Sequence, residues 1–103
     1  MCGIAGFIER HQNLDESKIK ITRMINSIEH RGPDSTGVLV GKNFSFATAR
    51  LSIETIKNGD QPIITNKNRY ITSFNGEIFN YKNIIKKYSF SAAEINSEVK
   101  LLA

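Results

Sequence analysis

Short strand-like segments, each ended by turn-forming residues, constrain the fold of this 103-residue chain more than any other feature. Glycine, asparagine and aspartate mark turns at residues 41–43, 57–60 and 66–68. Connections this short favour antiparallel hairpins, because parallel strands need a crossover of a dozen or more residues. The predicted strands are residues 36–40, 43–49, 51–56, 62–65 and 69–75.

Helices and one further strand complete the predicted elements. Residues 2–8 read as a short buried strand, and Asn13 followed by Glu16 resembles a capping box for the next helix. That helix is predicted to end near Glu29-His30, because its apolar residues recur at helical spacing as far as Ile28. A second helix is predicted from residue 80 or 81 to residue 88, and a third from near Asn96-Ser97. The class is therefore α+β, with antiparallel sheets and flanking helices.

Cys2 is the only cysteine, and it follows the initiator Met1 directly. Removal of Met1 would put a thiol and a free α-amino group on one residue. An α-amino group titrates near neutral pH, so it can take the thiol proton and return it to a leaving group. A free cysteine is more often an inert core residue, so position alone leaves both interpretations open.

Composition excludes several other classes of function. The net charge of +4 is scattered, with no basic stripe among stacking aromatics, which argues against nucleic-acid binding. No apolar run could span a bilayer, and the N-terminus lacks the pattern of a signal peptide. His11 and His30 have no metal-ligand spacing with Cys2, so we predict no metal site. A single reduced cysteine suits a cytoplasmic location.

Further motifs accompany the N-terminal Met1-Cys2-Gly3-Ile4-Ala5-Gly6 in a fixed order. They are His30-Arg31-Gly32-Pro33-Asp34-Ser35-Thr36-Gly37, Ala49-Arg50-Leu51-Ser52-Ile53, Gln61-Pro62 and Phe74-Asn75-Gly76-Glu77-Ile78-Phe79-Asn80-Tyr81. Each is weak alone, but together they cover nearly the whole chain. In this order the chain resembles the class II glutamine amidotransferases, and among these the glutamine-hydrolysing asparagine synthetases.

The resemblance implies a fold and a domain organisation. Residues 1–103 are expected to form the first half of an αββα N-terminal-nucleophile hydrolase sandwich, truncated and without the synthetase domain. In the family that missing C-terminal domain uses ATP and Mg to amidate aspartate, and this segment itself needs no cofactor. The expected partners are L-glutamine and the synthetase domain, with a homodimer as the full-length form and neither nucleic acid nor membrane involved.

The resemblance also assigns roles to individual residues. Cys2 is the nucleophile, while Asn75 and Gly76 donate hydrogen bonds to the oxyanion. Arg50 binds the α-carboxylate of glutamine, since a guanidinium can form two parallel hydrogen bonds with it. Leu51, Ser52 and Ile53 contact glutamine mainly through backbone groups, and Glu77 and Asn96 face its α-ammonium group.

Two residues depart from the family pattern. Thr48 stands where members usually have a histidine, so the support of the Arg50 segment is expected to be weaker or differently built. Asn96 stands where an aspartate usually binds the α-ammonium group. Asparagine can accept a hydrogen bond but lacks the charge that makes such bonds roughly twice as strong.

Two classes of function therefore remain open. One is a glutaminase whose ammonia feeds the amidation of aspartate or of another carboxylate acceptor. The other is a non-catalytic remnant or a glutamine-binding module that has lost hydrolysis. The motifs favour the first, whereas Asn96 and the short length favour the second.

Replacing Asn96 with aspartate is expected to lower the KM for glutamine, because it restores a negative charge opposite the α-ammonium group. The change is measured as the KM of glutamine hydrolysis for the wild type and for Asn96→Asp. Equal KM values in the two proteins would contradict the expectation.

Overall fold

The computed structural model describes residues 1–11, 13–52, 60–65, 67–91 and 98–102. The order of elements combines strands and helices as the sequence predicts. They are β1 (Gly3–Ile8), α1 (Leu14–Asn26), a 3₁₀ turn (Glu29–Arg31), β2 (Ser35–Val40), β3 (Phe44–Arg50), β4 (Ile63–Thr65), β5 (Tyr70–Thr72), α2 (Tyr81–Lys87) and α3 (Glu98–Leu102).

The described strands form two antiparallel sheets. In the first, β3 lies between β1 and β2, with Gly3 opposite Ala49 and Ser35 opposite Arg50. In the second, β4 pairs with β5 from Ile63 opposite Thr72. Because β3 runs against both of its neighbours, its C-terminal end lies beside the starts of β1 and β2.

Helix α1 begins where the sequence predicts it. The side chain of Asn13 accepts hydrogen bonds from the backbone N–H groups of Asp15 at 2.9 Å and Glu16 at 3.2 Å. These two acidic residues also lie in the first turn, where negative charge stabilises the helix dipole. The helix ends at Asn26, earlier than predicted, and the 3₁₀ turn Glu29–Arg31 takes up the rest of the predicted helix.

The core lies between α1 and the first sheet. Ile21 and Ile25 of α1 are fully buried against Ala47 and Ala49 of β3. Alanine side chains at these two positions let the helix approach the sheet closely. Side chains that complete this layer are Ala5, Phe7, Met24, Ile28 and Val40.

The opposite face of the first sheet carries the second layer. Side chains alternate along a strand, so Thr48 points away from the helix that Ala47 and Ala49 contact. Its hydroxyl donates a hydrogen bond of 3.0 Å to the hydroxyl of Ser73, the residue that follows β5. On the same face, a Cβ at Gly37 would overlap the carbonyl oxygen of Gln61. The described part of the chain therefore stacks a helix, a sheet and a second strand pair.

This arrangement confirms the predicted α+β class, with antiparallel sheets and flanking helices, and agrees with half of an N-terminal-nucleophile sandwich. Some strand limits were predicted wrongly. Leu51 and Ser52 lie outside any strand, and the remainder of the predicted 51–56 strand lies outside the described residues. Strand β5 ends at Thr72, and beyond it the Phe74 N–H bonds to the side chain of Gln61 and not to a backbone carbonyl.

Replacing Ile21 with alanine is expected to lower the free energy of unfolding by about 2–5 kcal/mol, because it leaves a cavity between α1 and β3. Ile19→Ala, on the same helix, is the matched control because Ile19 is 55% exposed. It should change stability by less than about 1 kcal/mol. Chemical denaturation of the variants checks both values, and similar losses in the two would contradict this account of the core.

Candidate active site

Three segment ends meet at the C-terminal end of β3. Cys2 directly precedes β1, Ser35 begins β2, and Arg50 ends β3. The strand register pairs Gly3 with Ala49 and Ser35 with Arg50, so Cys2 lies across from Arg50. The sheet topology thus places the predicted nucleophile beside the predicted carboxylate-binding residue, although they are 48 positions apart in the sequence.

The Cys2 thiol is half-buried against the backbone of Leu51. Its sulfur accepts the Leu51 N–H at 3.5 Å and lies 3.9 Å from the Leu51 carbonyl oxygen. These contacts fix the sulfur at the edge of the segment predicted to bind glutamine. A backbone N–H directed at sulfur also suits a nucleophile that carries negative charge during reaction.

The loop before β2 contacts Cys2 from a second side. The Arg31 guanidinium donates through Nε to the Cys2 carbonyl oxygen at 3.3 Å. The next residue, Gly32, is buried, and a Cβ there would overlap the Ala49 carbonyl oxygen. Only glycine lets this loop lie so close to β3, which accounts physically for the Arg31-Gly32 pair.

Asp34 shapes the segment that follows Arg50. Its backbone N–H donates to the Arg50 carbonyl oxygen at 3.0 Å. Its carboxylate accepts the Ser52 N–H at 2.6 Å. Asp34 therefore holds the chain on both sides of Leu51, whose backbone contacts the thiol.

The Arg50 guanidinium is mostly covered, with 15% of its side chain exposed. Its Nη1 lies 3.8 Å from a carboxylate oxygen of Asp60, whose side chain is 94% exposed. An ion pair with so exposed a partner contributes little stability.

Asn75, Gly76 and Glu77 form an exposed loop after β5. The residues on either side of this Asn75-Gly76-Glu77 loop are half-buried and bonded to distant side chains. The Phe74 N–H donates to Gln61 Oε1 at 2.6 Å, and the Ile78 N–H donates to Glu98 Oε2 at 3.1 Å. Within the part of the chain that the structure describes, the hydrogen bonds of Cys2 go instead to Leu51 and Arg31.

Thr48, in the position where a histidine was expected, joins the two parts of the site. It is 1% exposed and bonded to Ser73, two residues before Asn75. Thr48 itself lies two residues before Arg50. A pair of hydroxyl groups therefore connects the end of β3, near Arg50, with the segment before Asn75.

Tyr81 lies close to Glu98. Burial, and next the negative charge of Glu98, raise the pKa of the Tyr81 phenol above its usual value.

Two predicted substrate contacts, Ile53 and Asn96, lie outside the described residues. Among the residues that are described, no group of three or more histidine, cysteine, aspartate or glutamate side chains could hold a metal ion. In the same ranges, no helix is long and apolar enough to cross a membrane.

Sequence reasoning gave no role to four polar residues that support the site: Arg31, Asp34, Gln61 and Glu98. Three of them lie inside the recognised motifs, and Glu98 lies two residues after Asn96. The available signal was a polar residue next to glycine, proline or an assigned site residue. Sequence alone could not identify their partners, because each partner lies in another segment.

Comparison with known proteins agrees with this arrangement. Residues 1–100 match the family described as glutamine amidotransferase domain. The chain is 35% identical over 101 residues to asparagine synthetase [glutamine-hydrolyzing] 1 of Bacillus subtilis, covering 95% of this chain and 16% of that protein. It is 38% identical over 82 residues to asparagine synthetase [glutamine-hydrolyzing] 1 of Saccharomyces cerevisiae, covering 79% of this chain and 14% of that protein.

A third relative, asparagine synthetase B [glutamine-hydrolyzing] of Escherichia coli, is 31% identical over 88 residues. The match covers 85% of this chain and 16% of that protein, so the chain spans about one sixth of the length of these relatives. A family match over nearly all of the sequence, joined to a cysteine held against the strand end that carries Arg50, shows that the chain belongs to the glutamine amidotransferase domain family.

Proposed function

We propose that this chain is the N-terminal part of a glutaminase domain that hydrolyses glutamine to glutamate and ammonia. The observation that carries the proposal is the half-buried Cys2 thiol held by the Leu51 backbone, beside Arg50. This arrangement brings a nucleophile next to a group that can bind an amino-acid carboxylate. The names of the relatives, all glutamine-hydrolysing enzymes, support the same reaction.

Cys2 performs the covalent chemistry after Met1 is removed. Met1 is 70% exposed, so its loss leaves no cavity and frees the α-amino group. That amine takes the thiol proton as sulfur attacks the side-chain amide carbon of glutamine. The resulting ammonium returns the proton to the departing ammonia, leaving a thioester. Water, deprotonated by the same amine, then attacks the thioester carbon. The C–S bond breaks, glutamate is released, and the ammonium returns the proton to the Cys2 sulfur.

The loop after β5 stabilises charge on the reacting oxygen. Attack by sulfur places a negative charge on the former amide oxygen. The Asn75 side-chain amide and the Gly76 N–H donate hydrogen bonds to it, and Gly76 lets the backbone approach without a Cβ. Removing one such donor typically costs about 2.7–4 kcal/mol of transition-state stabilisation.

Opposite charges hold the amino-acid end of glutamine. Arg50 binds the α-carboxylate in place of Asp60, and Glu77 faces the α-ammonium group together with Asn96. The backbone of Leu51, Ser52 and Ile53 lines the substrate. These contacts decide which amide enters the site, because a ligand without both charges leaves a charged side chain unpaired.

We place this glutaminase in a longer cytoplasmic enzyme that uses the ammonia to convert aspartate to asparagine. The chain spans 16% of the length of the Bacillus subtilis relative, whose name describes asparagine synthesis. ATP, with Mg, would supply the activation of the acceptor carboxylate in a domain beyond residues 1–103. No step assigned to this chain uses either of them.

Glutamine binding without hydrolysis is the second candidate. It is favoured by Asn96, which lacks the charge usual at this position of the family. Both functions require Arg50, but only hydrolysis requires the Cys2 thiol. Kinetics of a Cys2 variant therefore separate them.

Replacing Cys2 with serine is expected to lower glutamine hydrolysis at least about 1,000-fold, because a hydroxyl is a much poorer nucleophile at neutral pH. Glutamate release from glutamine measures the loss, and Lys18→Ala on the exposed face of α1 serves as the control. Hydrolysis by Cys2→Ser at the wild-type rate would rule out the nucleophile. Binding of glutamine without release of glutamate by the wild type would select the second candidate.

Replacing Arg50 with lysine is expected to raise the KM for glutamine about 10-fold or more, because lysine cannot form two parallel hydrogen bonds with a carboxylate. Arg69→Lys is the matched control, since Arg69 is exposed in the turn before β5. Steady-state kinetics should show the larger effect on KM than on kcat. An Arg50→Lys enzyme with an unchanged KM would show that another group binds the carboxylate.

A further inference from the structure

We propose that Gln61 and Glu98 are positioning residues for glutamine hydrolysis, because their side-chain oxygens hold the two ends of the Asn75-Gly76-Glu77 loop. The inference rests on the proposed glutaminase function. Neither residue touches substrate in this proposal. Each acts through the backbone next to a residue that does.

Gln61 connects the first end of the loop to the central sheet. Its Oε1 accepts the Phe74 N–H at 2.6 Å, directly before Asn75. Its own carbonyl packs so closely on Gly37 of β2 that a Cβ there would overlap it. The Thr48–Ser73 hydrogen bond of 3.0 Å adds a second connection to the same sheet. These contacts connect the segment before Asn75 to β2, through Gly37, and to β3, through Thr48.

Glu98 holds the other end of the loop. Its Oε2 accepts the Ile78 N–H at 3.1 Å, directly after Glu77. Glu98 is the first residue of α3, and the next residue, Val99, is 3% exposed. Burial of Val99 restricts where the Glu98 carboxylate can lie. Glu98 is therefore a fixed acceptor for the backbone beside Glu77.

These two bonds supply what strand pairing does not supply at this point. The pairing of β4 with β5 ends at Ile63 opposite Thr72, before the loop begins. Asn75, Gly76 and Glu77 are exposed, so burial does little to hold them. Oxyanion donors must be held within about 0.5 Å of their working positions. A side-chain acceptor at each end provides that restraint.

The two ends of the loop lead to different kinetic effects. Gln61 lies next to the oxyanion donors, so losing its oxygen should lower kcat. Glu98 lies next to Glu77, which faces the α-ammonium group, so losing its oxygen should raise KM. Methionine substitutes for either residue with similar length and no oxygen. Gln61→Glu and Glu98→Gln each keep an oxygen acceptor.

The experiment measures kcat and KM for glutamine hydrolysis in the full-length natural protein and its variants, with the enzyme concentration corrected for the folded fraction. Gln61→Met should lower kcat roughly 10- to 100-fold, because a shift of about 1 Å in catalytic groups can cost up to about 100-fold in rate. Glu98→Met should raise KM by at least about 5-fold, while Gln61→Glu and Glu98→Gln restore most of each loss. Glu29→Met, at an exposed glutamate in the 3₁₀ turn, is the control and should leave both constants unchanged.

Wild-type kinetics in both methionine variants would overturn the positioning role while leaving the glutaminase intact. Absence of hydrolysis by the wild type would overturn the proposed function and this inference with it. Hydrogen exchange of the wild-type protein is a second test that does not depend on variants folding. The Phe74 and Ile78 amides should exchange more slowly than those of Gly76 and Glu77, and equal rates would also overturn the proposal.

Discussion

The backbone pairing of β3 with both of its neighbours is the constraint on which the described site depends. β1 and β2 run antiparallel to β3, and α1 packs on the alanine side chains of the same strand. Because β3 ends at Arg50, this pairing brings the start of β1, and so Cys2, to the place where Arg50 and Leu51 leave the sheet. Loss of β3 packing would therefore separate Cys2 from Arg50 and Leu51, whatever the chemistry of the individual side chains.

The site has two parts, each held by its own side-chain hydrogen bonds. The first part is the end of β3. There the Leu51 N–H donates to the Cys2 sulfur, the Arg31 side chain donates to the Cys2 carbonyl oxygen, and the Asp34 carboxylate accepts the Ser52 N–H. The second part is the exposed Asn75-Gly76-Glu77 loop, whose flanking residues bond to the side chains of Gln61 and Glu98. In both parts, side chains of other segments bond the backbone at or beside a candidate site residue.

Local sequence signals predicted the parts of this structure that depend on local interactions. Asn13 as the start of α1 and the order of short strands could be read from the sequence because capping and turn chemistry act over a few residues. The Thr48–Ser73 and Gln61–Phe74 contacts could not, because each joins segments that only the folded chain brings together. The early end of β5 was missed for the same reason. The candidate residues themselves were identified by resemblance, whereas their supports became visible only in three dimensions.

The central claim is that Cys2, freed from Met1, is a nucleophile in a working glutamine pocket. Intact-mass measurement of the purified protein, before and after the glutamine analogue diazo-oxo-norleucine, tests this claim most directly. If Cys2 is the nucleophile, the purified protein has a mass lower by one methionine than the full sequence. The analogue then adds a single covalent adduct, which is absent in Cys2→Ala and is suppressed by excess glutamine. Retained Met1, or an adduct that persists in Cys2→Ala, would contradict it.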